Sequence, residues 1–305
     1  MATHLAWFDT LWVRNRKIDG ATILMYHSVT DRRNRDWINP SHAISVERFE
    51  RQVRFLKERR TVVPLSHLID MVDAGVTPEA GTVAITFDDG YLDTLETAGA
   101  ILNKYGLPAS VFAVSGWVEN VKAPWVDVMY AAMKRRVTDQ FSIEGRNWRV
   151  GTGAEAARAL AHLGGRFIAL EAGSRDALLH DVCRQLCPDL EMPNLLMTWK
   201  DYKRWMKLGD GFEVGAHTRW HEDATLIGPN ALRSEVKHSK DALEDHLGIK
   251  KPHFTYPYGR MNESTEEVLR RSGCRSAIGT EPMRPVVGTS DAFQLTRFDP
   301  RGPQG

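Results

Sequence analysis

The chain has 305 residues, of which 42% are hydrophobic and 26% are charged, and 40 Lys and Arg against 39 Asp and Glu give a formal net charge of +1. This is the composition of an ordinary globular protein, long enough for two average domains or for one large α/β barrel. The charge balance gives no general attraction to nucleic acid or to an anionic membrane, so neither is an expected partner.

The first 21 residues are expected to form an N-terminal segment outside the main domain. They lack the basic start of a secretion signal, and Asp9 interrupts their apolar residues. The apolar cluster from Trp7 to Val13 could touch a membrane surface, although a packed terminal helix is favoured. No apolar run approaches the ~20 residues of a membrane-spanning helix, and the three cysteines form no disulfide framework. We therefore expect a cytoplasmic protein with reduced thiols.

Short apolar and β-branched runs predict strands along most of the chain. Several are apolar at nearly every position, which is typical of parallel strands covered on both faces. The predicted strands are Thr22–His27, Thr61–Val63, Thr82–Phe87, Ala109–Val114, Phe212–Ala216, His253–Pro257, Ser276–Gly279 and Gln294–Phe298.

Amphipathic helices are predicted between these strands. Ser45 is the predicted N-cap of the first, a second runs from about Pro229 to Gly248, and a third, Glu263 to Arg271, ends at Gly273. This regular alternation predicts parallel βα units, and therefore a barrel or a doubly wound sheet.

The interval of roughly eighty residues from Trp117 to Lys200 is far longer than a βα connection requires. Phe141-Ser-Ile and Trp148-Arg-Val flank Glu-Gly-Arg-Asn, which predicts a hairpin with a four-residue turn. Helices are predicted at Ala154–Leu163 and Arg175–Leu186. We interpret the interval, about 117–200, as a helical and hairpin insertion over one end of the main domain.

A pair of aspartates closes the predicted strand TVAITF, in the run Thr86-Phe87-Asp88-Asp89-Gly90. Neighbouring side chains of a regular strand point to opposite faces, so both carboxylates reach one site only if the chain turns, which Gly90 permits. The carboxyl end of a barrel strand is where barrel enzymes keep their chemistry. A solvated Asp-Gly turn is the alternative.

Two histidines, His217 and His221, directly follow the apolar strand FEVGA. Their spacing suits joint metal ligation if the segment turns helically, although eleven histidines make such a pair common by chance. Asp89 with His217, His221 and a water would give the open three-ligand site typical of a catalytic metal.

Four motifs, in order, resemble the polysaccharide deacetylase (NodB-like) family. Thr86–Gly90 resembles its first motif, Gly215–His221 its second and Phe254-Thr-Tyr-Pro-Tyr-Gly259 its third. Leu24-Met-Tyr-His-Ser-Val29 is similar to an element at the start of many members. The resemblance implies an α/β fold, a distorted barrel of seven or eight βα units over residues 22–305.

The resemblance also implies a division of labour in the site. Asp89, His217 and His221 would hold a metal ion, and Asp88 would be the general base. The backbone N–H of Tyr258 would face the oxyanion. Zinc is the expected cation for a carboxylate–imidazole site, with cobalt, nickel or manganese as alternatives.

Two positions depart from the family pattern. Many members carry a late Leu-x-His motif, but the late strand here reads Leu295-Thr296-Arg297. We therefore expect His27, at the end of the first predicted strand, to be the general acid, with a structural role as the alternative. Many relatives hold the catalytic aspartate with an arginine where Thr255 and Tyr256 stand here. Arg297 could make that contact instead, unless it forms an ordinary surface ion pair.

Nine tryptophans are many for this length, and apolar sugar faces stack on indole rings. Trp220, between the two histidines, and Trp125 are the best candidates for sugar contact, with Tyr256 as a further substrate-binding candidate. Core packing is expected for most of the others. Asp127 and Asp299 are additional polar candidates.

The function expected from these residues is metal-dependent hydrolysis of an N-acetyl amide on an amino sugar, in a polysaccharide or its glycan precursor, with release of acetate. One alternative is a metal-free hydrolase of cyclic amides, which the intact ligand set opposes. The other is a carbohydrate-binding protein with a decayed site, which only the missing late histidine favours. A cytoplasmic precursor, such as a lipid- or nucleotide-linked sugar, is the favoured substrate.

Overall fold

A computed structural model describes residues 20–30, 36–280 and 284–301 of the chain. The apolar cluster from Trp7 to Val13, and with it most of the predicted N-terminal segment, lies outside the described residues. No helix within the described ranges is long and apolar enough to cross a membrane.

Twelve strands are present in the described ranges, and eight of them form one parallel sheet. In chain order they are β1 (Ala21–Tyr26), β2 (Ser28–Thr30), β3 (Ala43–Ser45), β4 (Thr61–Val62), β5 (Thr82–Phe87), β6 (Ala109–Ala113), β7 (Gln140–Ile143), β8 (Arg146–Arg149), β9 (Phe212–Ala216), β10 (His253–Thr255), β11 (Ser276–Gly279) and β12 (Leu295–Phe298). All eight strands predicted for the barrel exist, and their ends differ from the predicted ends by at most two residues.

Seven of the parallel strands close into a barrel in the order β1, β12, β11, β10, β9, β6, β5 and back to β1. The short strand β4 pairs with the first two residues of β5, and β6 pairs with the last two. Strands β4 and β6 therefore share one edge of β5, and β4 is not part of the closed barrel. The fold is therefore an α/β barrel of seven strands, within the predicted class of seven or eight.

Ten α-helices lie in the part of the chain that the structure describes. They are α1 (Val46–Arg59), α2 (Leu65–Asp73), α3 (Ala100–Tyr105), α4 (Ser115–Asn120), α5 (Trp125–Lys134), α6 (Gly153–Ala169), α7 (Ala172–Leu186), α8 (Trp199–Trp205), α9 (Pro229–Leu247) and α10 (Glu263–Arg271). The Ser45 hydroxyl accepts the Arg48 N–H at the start of α1, and Gly248 ends α9 with a φ of 75°, as predicted from these two residues.

The segment between α4 and α8 has an apolar core of its own. Side chains from α5, α6, α7 and the β7–β8 hairpin pack together in a cluster separate from the barrel core. The predicted four-residue hairpin turn is wrong, because Ile143 pairs with Arg146 and leaves a two-residue turn. Glu144 and Gly145 have φ values of 50° and 75°, the left-handed pair that a tight hairpin turn requires. The boundaries of the insertion, about 117–200, stay a prediction.

Candidate active site and metal centre

The two aspartates lie at the carboxyl end of β5, where the chain makes a sharp turn. The Asp88 N–H still donates to Tyr26 O at 2.9 Å, which continues the pairing of β5 with β1. The turn begins one residue before Gly90, because Asp89 itself has a φ of 68°. Gly90 follows with a φ of 69°, and a Cβ there would lie 1.8 Å from the Tyr202 hydroxyl. The turn brings both carboxylates to the mouth of the barrel.

Asp89, His217 and His221 meet at this mouth. Asp89 Oδ1 lies 3.7 Å from His217 Nε2 and 3.5 Å from His221 Nε2, and one ligand atom from each residue lies within 4.8 Å of the others. Three ligand atoms bound tetrahedrally at zinc distances lie about 3.4 Å apart, so the observed spacing fits a small divalent cation. The structure thus brings together the three residues expected to hold the metal.

The charges of these groups also favour a cation. Burial, reinforced by Asp88 and Asp127, raises the pKa of Asp89 well above its ordinary value. Asp89 Oδ1 is buried and accepts no hydrogen bond from any group in the described ranges. Burial lowers the pKa of both histidines, which keeps the rings neutral and able to coordinate. A divalent cation would supply the compensation that the buried carboxylate lacks.

The two histidines are held in different ways. His217 Nδ1 lies 2.8 Å from Thr255 O, and donation to this carbonyl leaves Nε2 as the coordinating atom. His221 instead stacks on Trp117, with ring centroids 5.3 Å apart, and forms a T-shaped contact with the Tyr258 ring, with centroids 4.7 Å apart. The helical turn that was the condition for their joint ligation is not formed, although the two rings still meet. The segment is a loop in which Thr218 and His221 have φ values of 59° and 56°.

Asp88 is paired with Arg297 in the barrel interior. Nη1 and Nη2 of Arg297 donate to Oδ1 and Oδ2 of Asp88 at 2.7 and 2.6 Å, and both side chains are buried. Burial alone would raise the pKa of Asp88, but the Arg297 guanidinium, together with His217 and His221, holds the pKa below its ordinary value. The surface ion pair considered for Arg297 is therefore wrong, because the pair is inaccessible to solvent.

His27 immediately follows β1, beside Asp88 on the neighbouring strand end. Its ring stacks on His42, with centroids 5.0 Å apart. Burial, followed by His42 and nearby arginines including Arg297, lowers the pKa of His27 well below its usual range. His27 therefore lies at the same end of the barrel as Asp88 and His217, in neutral form at neutral pH.

The candidates for substrate contact divide into two groups. Trp125 donates its indole N–H to the Tyr258 hydroxyl at 3.3 Å, and the half-buried Trp220 lies in the loop between the two histidines. Tyr256, in contrast, is fully buried in the barrel core, and its hydroxyl donates to Phe293 O. The proposed contact of Tyr256 with substrate is therefore wrong. Side chains alternate along β10 and its extension, so Thr255 faces the site and Tyr256 faces away.

Several residues around the site had not been identified from the sequence. His42 accompanies His27, and Trp117 supports His221. Arg175 and Glu235 contact the backbone of the histidine loop. Each of them lies 15 or more positions along the chain from the residue it contacts, so no short spacing pattern marks it.

Asp127, named from the sequence only as a polar candidate, is fully buried on α5. It accepts the Tyr91 hydroxyl and the Asn39 N–H, each at 2.7 Å. Burial raises the pKa of Asp127 to about 7. The contact ties the insertion to the loop that follows Asp89.

Comparison with known proteins places these observations in a family. The family model described as polysaccharide deacetylase matches residues 75–277, about two thirds of the chain. A Bacillus subtilis (strain 168) protein, YxkH, provisionally named a polysaccharide deacetylase, is 20% identical over 273 residues, which cover 89% of this chain and 68% of that protein.

Solved structures share the fold. The Streptococcus pyogenes deacetylase PplD, in complex with acetate, superposes with a TM-score of 0.60 at 18% identity, covering 92% of both chains. A de-N-acetylase from Aggregatibacter actinomycetemcomitans superposes with a TM-score of 0.60 at 17% identity, covering 94% of this chain and 97% of the other. At these identities the likeness concerns the barrel itself.

Proposed function

Because the chain belongs to the polysaccharide deacetylase family, we propose that it hydrolyses the N-acetyl amide of an amino sugar, in a polysaccharide or its glycan precursor, and releases acetate. The observation that carries this proposal is the buried Asp89 Oδ1, 3.5 and 3.7 Å from two imidazole nitrogens and directly beside the Asp88–Arg297 pair. This arrangement supports a cation ligand set and a general base side by side at the barrel mouth.

Asp89, His217 and His221 would hold the divalent cation, for which zinc is the first choice and cobalt, nickel or manganese are alternatives. When bound, such an ion lowers the pKa of a water molecule to about 7 and polarises a carbonyl group. Asp88 is then the base for that water, because Arg297 keeps its carboxylate ionised. Oδ2 of Asp88 retains a second lone-pair direction beyond its bond to Arg297, whereas Oδ1 also accepts the Thr255 hydroxyl at 3.4 Å.

The remaining steps are assigned to His27 and Tyr258. The amine leaves only when protonated, and His27, beside Asp88 at the end of the neighbouring strand, is the proposed donor. The proton that Asp88 removes from the water would pass to the neutral His27 ring, which negative charge forming beside it makes more basic, and from His27 to the amine nitrogen as the C–N bond breaks. The Tyr258 backbone N–H is the proposed donor to the oxyanion, and a hydrogen bond there stabilises the charge that develops in the transition state.

The sugar would lie against the aromatic side chains around the mouth. Trp125 and Trp220 are the proposed stacking residues, since indole rings match the apolar faces of sugars. The Aggregatibacter neighbour is a de-N-acetylase, which supports an N-acetyl substrate for this chain. A cytoplasmic location and a lipid- or nucleotide-linked precursor remain predictions from the sequence.

The test combines metal analysis with product release. Purified protein should bind one equivalent of zinc or cobalt and release acetate from N-acetylglucosamine oligomers, and a chelator should stop the reaction. Asp88→Asn should reduce turnover roughly 10²- to 10⁴-fold, the range for loss of a general base, while the bound metal remains. A chain that binds no divalent cation, or an Asp88→Asn protein with full activity, would contradict the proposal.

A further inference from the structure

The loop that carries His221 is held by side chains from two separate helices. Glu235, on α9, accepts the backbone N–H of Arg219 at 3.0 Å and of Trp220 at 2.8 Å. Arg175, on α7 of the insertion, donates to Trp220 O at 2.6 Å and to His221 O at 3.5 Å. The peptide groups on both sides of Trp220 are therefore fixed by side chains of opposite charge.

Arg175 is an unusual residue to find in this position. It is only 2% exposed, and the partners it has in the described part of the chain are backbone carbonyls rather than a carboxylate. Burying a guanidinium is costly unless its donors are satisfied, so such a residue is retained where its hydrogen bonds serve a purpose. The hydrogen bonds of Arg175 go to the histidine loop, so its effect is on the conformation of that loop.

Helix α7 is docked onto the same loop at its start. The Ala172 N–H, in the first turn of α7, donates to the Glu222 carboxylate at 2.7 Å, one residue beyond His221. On another side, the Gly116 N–H donates to Arg219 O at 2.9 Å, and a Cβ on Gly116 would lie 2.6 Å from that oxygen. The loop is therefore packed tightly, and Arg175 supplies a cationic contact to its backbone carbonyls.

His221 depends on this support more than His217 does. A metal-bound histidine usually donates its second ring nitrogen to a fixed acceptor, and His217 has one in Thr255 O. His221 Nδ1 is buried and has no hydrogen-bond partner among the described residues. Its backbone is in the left-handed region, with a φ of 56°, which a residue with a side chain adopts only when its surroundings impose it.

We propose that Arg175 is a positioning residue for the metal centre, which holds the His221 backbone so that Nε2 points at the cation. The inference rests on the proposed metal site and extends it: the insertion would contribute to metal affinity although it supplies no ligand. Arg175 would act through the two carbonyls of the loop, and it supplies no ligand atom itself.

The test measures metal binding by the full-length protein directly. Zn²⁺ affinity is determined by competition with a chromogenic chelator, and the visible absorption spectrum of the Co²⁺-loaded protein reports coordination geometry. Arg175→Met should weaken Zn²⁺ binding roughly 10- to 100-fold, the usual cost of losing an outer contact to a ligand, and should change the Co²⁺ spectrum. Arg175→Lys, which retains one donor and the charge, should recover part of the affinity.

Arg184→Met is the matched control, because Arg184 lies on the same helix and forms an exposed pair with Asp181. It should bind Zn²⁺ as the wild type does. Wild-type affinity and an unchanged Co²⁺ spectrum in Arg175→Met, or in Arg175→Lys if the methionine variant does not fold, would overturn the inference. Failure of the wild type itself to bind metal would instead remove the proposed function.

Discussion

Arg297 donates two hydrogen bonds to Asp88 across the inside of the barrel, from the end of the last strand to the end of the fifth. The pair lies where solvent cannot screen it, and it fixes the charge and the orientation of one carboxylate directly beside another. The two aspartates consequently have opposite environments. Asp88 is held ionised by a cation of the protein, whereas Asp89 has no such partner in the described residues.

The first prediction concerns the stability of this pair. Arg297→Met should lower the free energy of unfolding by about 3 to 5 kcal/mol, because it leaves a buried carboxylate unpaired. In an Asp88→Asn background the same substitution should cost clearly less. Urea unfolding of the four proteins gives the coupling energy. Arg271→Met removes an exposed ion pair with Glu267 and is the control, which should cost under about 1 kcal/mol. Equal costs at Arg271 and Arg297 would be evidence against a stabilising Asp88–Arg297 pair.

The second prediction is that Asp89→Asn stabilises the metal-free protein while destroying metal binding. The carboxylate is buried and repelled by Asp88, whereas an amide carries no charge and can donate to the free Nε2 of His217. Asn also tolerates the left-handed backbone at this position. In chelator, we expect a gain of about 1 to 3 kcal/mol, the cost of an unsatisfied buried polar group.

Asp88→Asn supplies the matched comparison for that experiment. It changes the neighbouring residue in the same chemical way, but it breaks the ion pair with Arg297, so it should destabilise the metal-free protein. Effects of the same sign at Asp88 and Asp89 would show that the two carboxylates do not differ in the way the structure indicates.

Much of the barrel could be predicted from the sequence, because its strands are buried on both faces and therefore appear as continuous apolar runs. The pairing of Asp88 with Arg297 can also be predicted, since Asp88 follows β5, Arg297 lies one residue before the end of β12, and both strands end at the same mouth. The error at Tyr256 has a local cause. Neighbouring residues of a strand point to opposite faces, and the motif alone does not determine which of Thr255 and Tyr256 points into the site.

The supports of the site were not predictable in this way. Arg175 binds a backbone carbonyl 46 positions along the chain, and Glu235 binds a backbone N–H 16 positions away. Both contacts form only when the insertion and helix α9 are folded against the loop. Every residue has a backbone carbonyl, so the sequence contains no particular residue type that would identify the partner of such a side chain. The sequence predicts a hairpin turn that is too long, because the polar residues Arg146 and Asn147 belong to strand β8 and not to the turn.

The third prediction tests His27 as the proton donor. His27→Ala should lower kcat for an N-acetyl amide roughly 10²- to 10⁴-fold. With an acetate ester whose leaving group needs no proton, such as p-nitrophenyl acetate, the loss should nearly vanish. His67→Ala, at an exposed histidine of α2, is the control and should retain activity. A loss of the same size on both substrates would mean that His27 has a structural role.

The last prediction concerns acid stability at the opposite end of the barrel. His253 begins β10 and is buried, with Nδ1 2.8 Å from the Ser276 hydroxyl. Burial, aided by Arg275, lowers the pKa of His253 to about 4. Because this pKa is depressed in the folded state, the stabilisation by the neutral ring is complete above pH ~6.5 and is lost as the pH falls toward ~4.

His253→Gln removes this titration and retains a polar side chain near Ser276. The wild type should lose about 2 kcal/mol more than the variant between pH 7.5 and pH 5, as measured by urea unfolding at both values. Activity at pH 7.5 should be unaffected, since His253 lies at the strand end remote from Asp88 and Asp89. Parallel losses of stability in the two proteins would mean that the buried ring can accept a proton without penalty, and that Ser276 or solvent stabilises the charged form.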